Sequence, residues 1–333
     1  MKKLNTTFIL SGGIGRTVCS IPALEKYHKL NPDDDFRVVV HGWDMLFWSH
    51  PILQDRVFNA GQKGLFETVF KPNRVVMPEP YHTHEFYNEQ ISLIEAFDVE
   101  INKTDDHSDL KTKDYLYLSR YEIAGAKQYI TKEKQKQNKK YCVMTQPFGS
   151  GVQLLNGKPH DDTNRSIEPD DYYDIVKYLE KDSVILYGSS EEFKKNDDKI
   201  TISFEGTHQH IPFLRLMMAL ISECDYFIGC DSVGQHIAKS FSKPGLILMG
   251  STGDKCFSYP EHFEIYRKGT PKYFPWRLAE PDAMFAARSN DGMMEFSKED
   301  MKNIKRIIDK NLRKETIKEI NDSNLIKEKF NYE

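Results

Sequence analysis

The chain has 333 residues, of which 39% are hydrophobic and 12% aromatic, and its formal net charge is −4. This length suits two domains, and the composition is that of a folded globular protein rather than a disordered one. The small acidic excess excludes a bulk attraction to nucleic acid or to an anionic membrane, and leaves only a local basic patch open.

The five cysteines are scattered and form no CxxC pair, so the sequence predicts reduced thiols rather than a disulfide framework or a zinc cage. The first ten residues lack the apolar stretch and cleavage site of a signal peptide. No segment approaches the roughly twenty apolar residues that a membrane helix needs. We therefore expect a soluble, cytoplasmic protein without integral membrane association.

The first predicted unit begins with a strand at residues 6–10, a glycine-rich turn and a helix at residues 18–30. A second buried strand is predicted at residues 36–40. This strand–helix–strand spacing indicates a parallel sheet with a crossover helix. Residues 43–84 predict short elements with long loops, and residues 90–97 predict a helix.

The polar, lysine-rich segment at residues 131–140 (TKEKQKQNKK) is interpreted as a solvated helix end or as a linker between domains. A basic binding strip is the alternative. A long loop follows at residues 146–166, and loops of that length are usually functional or mobile.

The second predicted unit alternates strands with helices, which indicates a second doubly wound domain. Its strands are predicted at residues 141–144, 184–187, 226–229 and 245–249, and its helices at 169–179, 213–222 and 232–240. A last amphipathic helix is predicted at 296–312. The expected division is an N-terminal domain at 1–138, a C-terminal domain at 139–285, and a helical segment at 286–333 that packs back on the N-terminal domain.

The turn after the first strand contains Gly12, Gly13 and Gly15, followed by Arg16. Glycines between a strand and a helix allow the backbone to approach a ligand, and the helix start favours an anion. As a dinucleotide motif the pattern is incomplete, because Val18 occupies the third glycine position. A tight turn alone is the alternative interpretation.

Polar residues also follow the strands of the second unit. Asp231, Ser232 and His236 lie where a strand switches to a helix, which is a place to bind phosphate. Asp231 as a simple helix cap and His236 as a core histidine remain alternatives. Ser251 and Thr252 follow the next strand and Gly188 closes another, so a ligand cleft is predicted at these strand ends. No P-loop or HExxH motif occurs, and no metal site is predicted.

Two stretches resemble glycosyltransferase family nine, the lipopolysaccharide heptosyltransferase-like enzymes. Residues 15–24 (GRTVCSIPAL) are similar to that family's N-terminal strand–turn–helix, and residues 231–238 (DSVGQHIA) to its DSGxxHxA signature. Lys243-Pro244 and Gly250-Ser251-Thr252 resemble the family's following KP and GxT. The likeness touches most of the chain and is close in the two stretches.

The resemblance implies a GT-B fold, in which two doubly wound Rossmann-like domains face a cleft. It implies a nucleotide-sugar donor held mainly by the C-terminal domain, an acceptor held by the N-terminal one, and inverting transfer without a metal or other cofactor. Arg16 stands where the family has an aspartate proposed as the base, and arginine cannot deprotonate an acceptor at neutral pH. Val233 also replaces a usual glycine.

These residues lead to the hypothesis of a glycosyltransferase that moves a hexosyl, heptosyl or pentosyl group from a nucleotide sugar to an acceptor hydroxyl. The acceptor is a saccharide, a protein or a modified nucleic acid. Arg16 is expected to orient the acceptor or the leaving phosphate, and His41 and Asp44 are candidate bases. The expected donor-binding residues are Arg165, Gly188, Asp231, Ser232, Gly234, Gln235, His236, Ser251 and Thr252.

Two other classes of function fit the same residues. A noncatalytic nucleotide-sugar-binding protein would keep the cleft and lack a base, as the arginine at position 16 suggests. A nicotinamide-dependent oxidoreductase would use Gly13 and Gly15 for its cofactor. The identity of the bound nucleotide separates the last from the other two.

Overall fold

The computed structural model describes residues 4–149, 151–155, 158–161, 163–188, 212–270 and 292–314. Within these ranges the chain forms two separate parallel sheets, each with helices in its crossover connections, and one short antiparallel hairpin. No helix in the described part is both long and apolar enough to cross a membrane.

The first sheet has four strands in the order β3-β2-β1-β4, and all of its pairings are parallel. Its central strands are short apolar runs, typical of parallel strands that are covered on both faces. The strands are β1 (Thr6–Leu10), β2 (Arg37–Val40), β3 (Val57–Asn59) and β4 (Arg74–Val76).

Helix α1 (Ile14–Leu30) crosses from β1 to β2, and it begins four residues earlier than predicted. Every residue from Arg16 to Tyr27 is buried, because the helix packs between α3 (Leu93–Asn102) and α7 (Val233–Ser240). The early start puts Arg16 inside the first turn of the helix, next to the end of β1.

Short elements fill the region before α3, as predicted. Two 3-10 turns, Asp44–Phe47 and Pro80–His82, and a π-turn, Phe66–Phe70, surround β3 and β4, and α2 (His84–Tyr87) follows. Helix α3 starts three residues after the predicted position, because Ser92 and Glu95 form a capping box there.

The second sheet has five parallel strands in the order β11-β10-β9-β5-β8. The predicted loop at 146–166 contains a hairpin that the sequence analysis missed, β6 (Gln153–Leu155) and β7 (Lys158–His160). The five strands are β5 (Tyr141–Gln146), β8 (Ser183–Tyr187), β9 (Tyr226–Cys230), β10 (Gly245–Met249) and β11 (Glu264–Arg267).

Helix α4 (Arg120–Gln137) explains the lysine-rich segment, most of which is its solvated C-terminal end rather than a linker. Glutamate, lysine and glutamine are strong helix formers, and the helix ends only at Asn138 in a left-handed conformation (φ 52°). Its buried side packs on α6 (Phe213–Glu223), β5 and β8, so its contacts are with the second sheet. The predicted boundary after residue 138 assigned it to the first unit.

The other helices of the second sheet are α5 (Pro169–Leu179), the short α8 (Asp254–Phe257) and α9 (Lys298–Asn311). The expectation that the last segment packs back on the N-terminal domain is wrong for its described part. The apolar seam of α9, with Met301 and Ile304, joins the cluster of α5 and the second sheet. The rest of that segment lies outside the described residues.

One hydrophobic core runs through both units. The same cluster contains Phe8 and Leu24 of the first unit and Met144 and Ile237 of the second. A polar contact adds to it, since Arg215 on α6 binds Glu122 through two bonds of 2.7 Å and donates to the carbonyl of Met45, in the 3-10 turn after β2. Apolar packing and polar contacts therefore both join the two units.

Candidate active site

A cavity of about 320 Å³ lies between the two units. We call its first-unit side the first wall, formed by Gly13, Ile14, Gly15, Arg16, Tyr81 and Leu93. The second-unit side is the second wall, formed by Arg165, Asp231, Ser232, Val233, His236 and Phe257.

Helices α1 and α7 both begin at this cavity. Gly13 and Ser232 are their N-cap residues, neither makes a side-chain capping bond, and neither helix has an acidic residue in its first turn. The start of α1 presents amides without a capping side chain, whereas at the start of α7 the Gly234 amide is bound to the side chain of Gln146. Both starts present the positive end of a helix dipole, so the cavity favours an anion from both sides. Asp231 precedes the N-cap, so the helix-cap interpretation of this residue is wrong.

Asp231 is the centre of a bonded network on the second wall. It is 3% exposed, and its two oxygens accept from the Thr252 hydroxyl at 2.8 Å and the Gln235 amide at 3.1 Å. Arg165 adds an ion pair at 3.6 Å. A buried carboxylate with this set of partners is held in one orientation.

Gly234 is fixed in the first turn of α7 by close packing. Its amide donates to Gln146 Oε1 at 2.6 Å, and a Cβ at this position would lie 2.7 Å from the Phe227 ring. Position 234 therefore requires glycine. The preceding position, where the similar family usually has glycine, is Val233 in this chain.

Ser251 and Thr252 support the second wall from behind and do not line the cavity. Ser251 donates its hydroxyl to the carbonyl of Thr163 at 2.6 Å. Arg267 donates to the carbonyls of Gly250 and Thr252 at 2.8 and 2.6 Å, which pins this loop against β11. Thr252 is linked to the cavity only through its bond to Asp231, and the role of both residues in donor binding stays a prediction.

His236 joins the two walls. A Cβ on Gly15 would lie 3.1 Å from its Cδ2 and 3.3 Å from its Nε2, so glycine at position 15 gives the ring its place. Its Nδ1 is 2.7 Å from the Tyr259 hydroxyl and 3.4 Å from Cys19 Sγ. Burial lowers the pKa of His236 to about 4, so the ring is neutral at pH 7. The residue is both buried and part of the cavity.

Arg16 is the most unusual group of the first wall. It is 5% exposed, its Nη1 lies 3.1 Å from Glu79 Oε1, and its guanidinium covers the Tyr81 ring at 4.8 Å. Its Nε and Nη2 are buried and have no hydrogen-bond partner among the described residues. A buried donor without a partner costs about 1–3 kcal/mol, so this arrangement is one that a ligand would complete.

Several predicted site residues lie away from the cavity. His41 is exposed, with Nδ1 3.4 Å from the carbonyl of Leu10, and Asp44 accepts from Asn59 within the first unit. Gly188 is packed in the second unit, where a Cβ would meet Met144. Gly12 adopts φ 99°, which glycine tolerates, and it forms the turn before α1.

The sequence analysis missed Tyr81 on the first wall, Glu79, which pairs with Arg16, and Tyr259 behind the second wall. Glu79 and Tyr81 follow β4, in a region that predicted only short elements, and no motif marks them. Tyr259 is likewise identified only through its contact with His236. Among the described residues no group of three or more His, Cys, Asp or Glu is placed to hold a metal ion. The absence of a metal requirement stays a prediction.

No family model matches the chain, and no curated protein matches it. Solved structures do match. The glycosyltransferase family 9 structure from Veillonella parvula aligns with a TM-score of 0.55 at 11% identity, over 92% of this chain and 98% of that one.

Two further structures align at similar levels. The E. coli ADP-heptose LPS heptosyltransferase II gives a TM-score of 0.52 at 11% identity, over 86% of this chain and 98% of that one. The iron-containing dodecameric glycosyltransferase TibC from enterotoxigenic E. coli gives 0.52 at 11%, over 95% and 81%. The two doubly wound sheets facing a cleft, together with these alignments over most of each chain, show that the protein has the GT-B fold of the family 9 glycosyltransferases.

Proposed function

We propose that the protein is a glycosyltransferase that moves a sugar from a nucleotide-sugar donor to an oxygen of an acceptor. The observation that carries the proposal is the cavity between the units. Two helix starts and two arginines, Arg16 and Arg165, meet there from opposite walls. Two concentrations of positive potential suit a reaction in which a diphosphate leaves.

The second wall is the donor side in this proposal. The diphosphate lies at the start of α7, within reach of the Ser232 hydroxyl and the Arg165 guanidinium. As the bond between the sugar and the diphosphate breaks, negative charge grows on the leaving oxygens. The Arg165 guanidinium, held beside Asp231, and the positive end of α7 stabilise that charge. The fold is shared with an ADP-heptose transferase, which supports a nucleoside diphosphate as the leaving group.

Inversion and metal independence form the finer part of the proposal. The acceptor approaches from the first wall, opposite the leaving group, so that one displacement inverts the anomeric carbon. Arg165 and the helix start supply the positive charge that a divalent metal supplies in other transferases. Product stereochemistry and activity in the presence of a chelator test these two statements.

A noncatalytic binding protein is the second candidate, and one observation favours it. The carboxylate on the second wall, Asp231, is held by Thr252, Gln235 and Arg165, and Arg16 occupies the position at which a base is expected. Such a protein would bind the donor without transferring the sugar.

The test is a melting-temperature screen of the full chain against nucleotide sugars and nicotinamide cofactors. A ligand that binds only the folded state raises the melting temperature. We expect a shift with a nucleotide sugar, its loss in Arg165→Gln, and its retention in Arg56→Gln, which removes an arginine outside the cavity. A shift with nicotinamide cofactors alone would contradict the proposal.

Release of nucleoside diphosphate and of a glycosylated product then separates the two candidates. Donor binding with neither transfer nor hydrolysis in the presence of a broad acceptor panel would favour the binding protein. Transfer to any acceptor would exclude it.

A further inference from the structure

The cavity contains a charged group that the donor side does not use. Arg16 belongs to the first wall, and its Nη1 is paired with Glu79. The remaining Nε and Nη2 form one fork of the guanidinium, both are buried, and neither has a partner among the described residues. This fork has the geometry that binds two oxygens of a carboxylate or phosphate.

The surroundings of Arg16 keep its fork in place. The guanidinium lies 4.8 Å from the centre of the Tyr81 ring and 5.8 Å from that of Phe97, while Glu79 fixes its far end. The start of α1 is uncapped beside it, since Gly13 has no side chain and a Cβ there would meet no atom within 4 Å. The first wall therefore combines an oriented pair of buried donors without partners among the described residues with a positive helix end and, at Gly13, open space.

The described lining of the cavity has no side chain suited to remove a proton from a neutral hydroxyl. Asp231 is held by three partners, and Glu79 is bound to Arg16. His236 has a pKa of about 4, well below the range of an efficient base at neutral pH. An acceptor oxygen that is already ionised needs no such base.

We propose that Arg16 and the start of α1 bind an oxyanion of the acceptor, a phosphate or carboxylate group, and that one oxygen of this group is the nucleophile. The inference rests on the proposed function, because it places the donor diphosphate at the start of α7. A lone pair of the acceptor oxygen forms the new bond to the anomeric carbon. The bond between that carbon and the diphosphate breaks with its electron pair, one negative charge passes to the leaving nucleoside diphosphate, and no proton moves.

Binding tests the subsite without requiring turnover. The melting temperature of the full chain is measured with inorganic phosphate at constant ionic strength, in the absence and presence of a saturating nucleotide sugar. We expect phosphate to add a further shift in the presence of donor. Arg16→Gln should lose this added shift and keep the donor shift.

Arg56→Gln is the matched control, because Arg56 also stacks on an aromatic ring, Phe36, and pairs with a carboxylate, Asp35, but lies outside the cavity. Arg16→Lys, which keeps the charge without the fork, replaces Arg16→Gln if the latter does not fold. An added shift that persists in the Arg16 variant, or its absence in the unaltered chain, would overturn the subsite. Loss of the donor shift itself in Arg16→Gln would assign Arg16 to the donor. If no nucleotide sugar shifts the unaltered chain, the proposed function fails, and phosphate titration of the two chains still tests the subsite.

Turnover tests the nucleophile. Release of nucleoside diphosphate from the donor is measured with inorganic phosphate, acetate and glycerol as acceptor probes. We expect phosphate or acetate to accelerate release and to yield a sugar 1-phosphate or a 1-O-acetyl sugar, with kcat/KM at least about tenfold lower in Arg16→Gln. With acetate the rate should stay level between about pH 6 and 9, because the carboxylate is ionised throughout. A faster reaction with glycerol, or equal background rates with all three probes, would overturn the assignment of the nucleophile.

Discussion

The two walls of the cavity differ in how completely their polar groups are bonded. On the second wall Asp231 has three partners, and the amide of Gly234 is held by Gln146. On the first wall Arg16 keeps two buried nitrogens without a partner among the described residues, and Gly13 leaves the helix start uncapped. A bonded wall is ready before a ligand arrives, whereas an incomplete wall gains its missing bonds from the ligand.

This difference predicts how each wall responds to substitution. Groups that are bonded in the folded protein contribute to folding, so their removal lowers stability. Buried polar groups without a partner lower the stability of the folded protein and contribute to ligand binding, which is the usual trade-off at functional sites. Substitutions on the second wall should therefore mainly lower stability, whereas substitutions on the first wall should mainly lower ligand binding.

The largest effect is expected at Asp231. Asp231→Ala removes the acceptor for Thr252 and Gln235 and leaves Arg165 without its carboxylate, so the free energy of unfolding should fall by about 3 kcal/mol. Urea denaturation measures this change. Asp35→Ala, which breaks an exposed ion pair with Arg37 and Arg56, should change stability by less than about 1 kcal/mol. Equal effects of the two substitutions would contradict the picture of a bonded second wall.

A smaller effect is expected from acid at His236. The pKa of His236 is about 4 in the folded protein and 6.5 in the unfolded chain. Between pH 6.5 and pH 4 the ring is therefore protonated in the unfolded state and neutral in the folded state. This contribution to stability is complete above pH 6.5 and decreases as pH falls toward 4, by about 1.4 kcal/mol per pH unit, or about 2 kcal/mol at pH 5.

Denaturation of the unaltered chain and of His236→Gln at pH 7 and pH 5 measures this contribution. The variant should lack that part of the acid sensitivity, whereas His84→Gln, at an exposed position on α2, should retain it. Identical pH dependence in all three chains would mean that the His236 ring is open to water.

The smallest effect on stability is expected at Arg16. Arg16→Met removes the ion pair with Glu79 but also removes two buried nitrogens without partners, so the free energy of unfolding should change by no more than about 1 kcal/mol. The same urea series checks this. A loss as large as that of Asp231→Ala would show that Arg16 is a structural residue and that the two walls do not differ.

The elements of the fold follow well from local sequence signals. Short apolar runs between turns located β1, β2, β5, β8, β9 and β10, and the polar strand ends led to Arg16, Asp231 and His236, which the structure brings to one cavity. These signals are local because a strand-to-helix switch is encoded within a few residues.

Local sequence signals do not give the order of the strands in a sheet, and that order decides which loops reach the cavity. His41 and Asp44 follow β2, on one side of β1, but the loop that reaches Arg16 follows β4, on the other side. The partners of a buried group are also distant in sequence. Glu79 lies 63 residues from Arg16, and Tyr259 lies 240 residues from Cys19. The packing of α9 against the second sheet could not be predicted locally either, because the apolar seam of this helix would suit either unit.

The core shared by the two units has a consequence for cooperativity. Phe8 and Leu24 are in the same apolar cluster as Met144 and Ile237, so neither half can lose its packing without exposing the other. The chain should therefore melt in a single calorimetric transition, although its length and its two sheets would ordinarily favour two. A half cut out between α4 and β5 would carry a bare apolar face and tend to aggregate. Scanning calorimetry of the whole chain should therefore show one heat-capacity peak, because the two sheets unfold together.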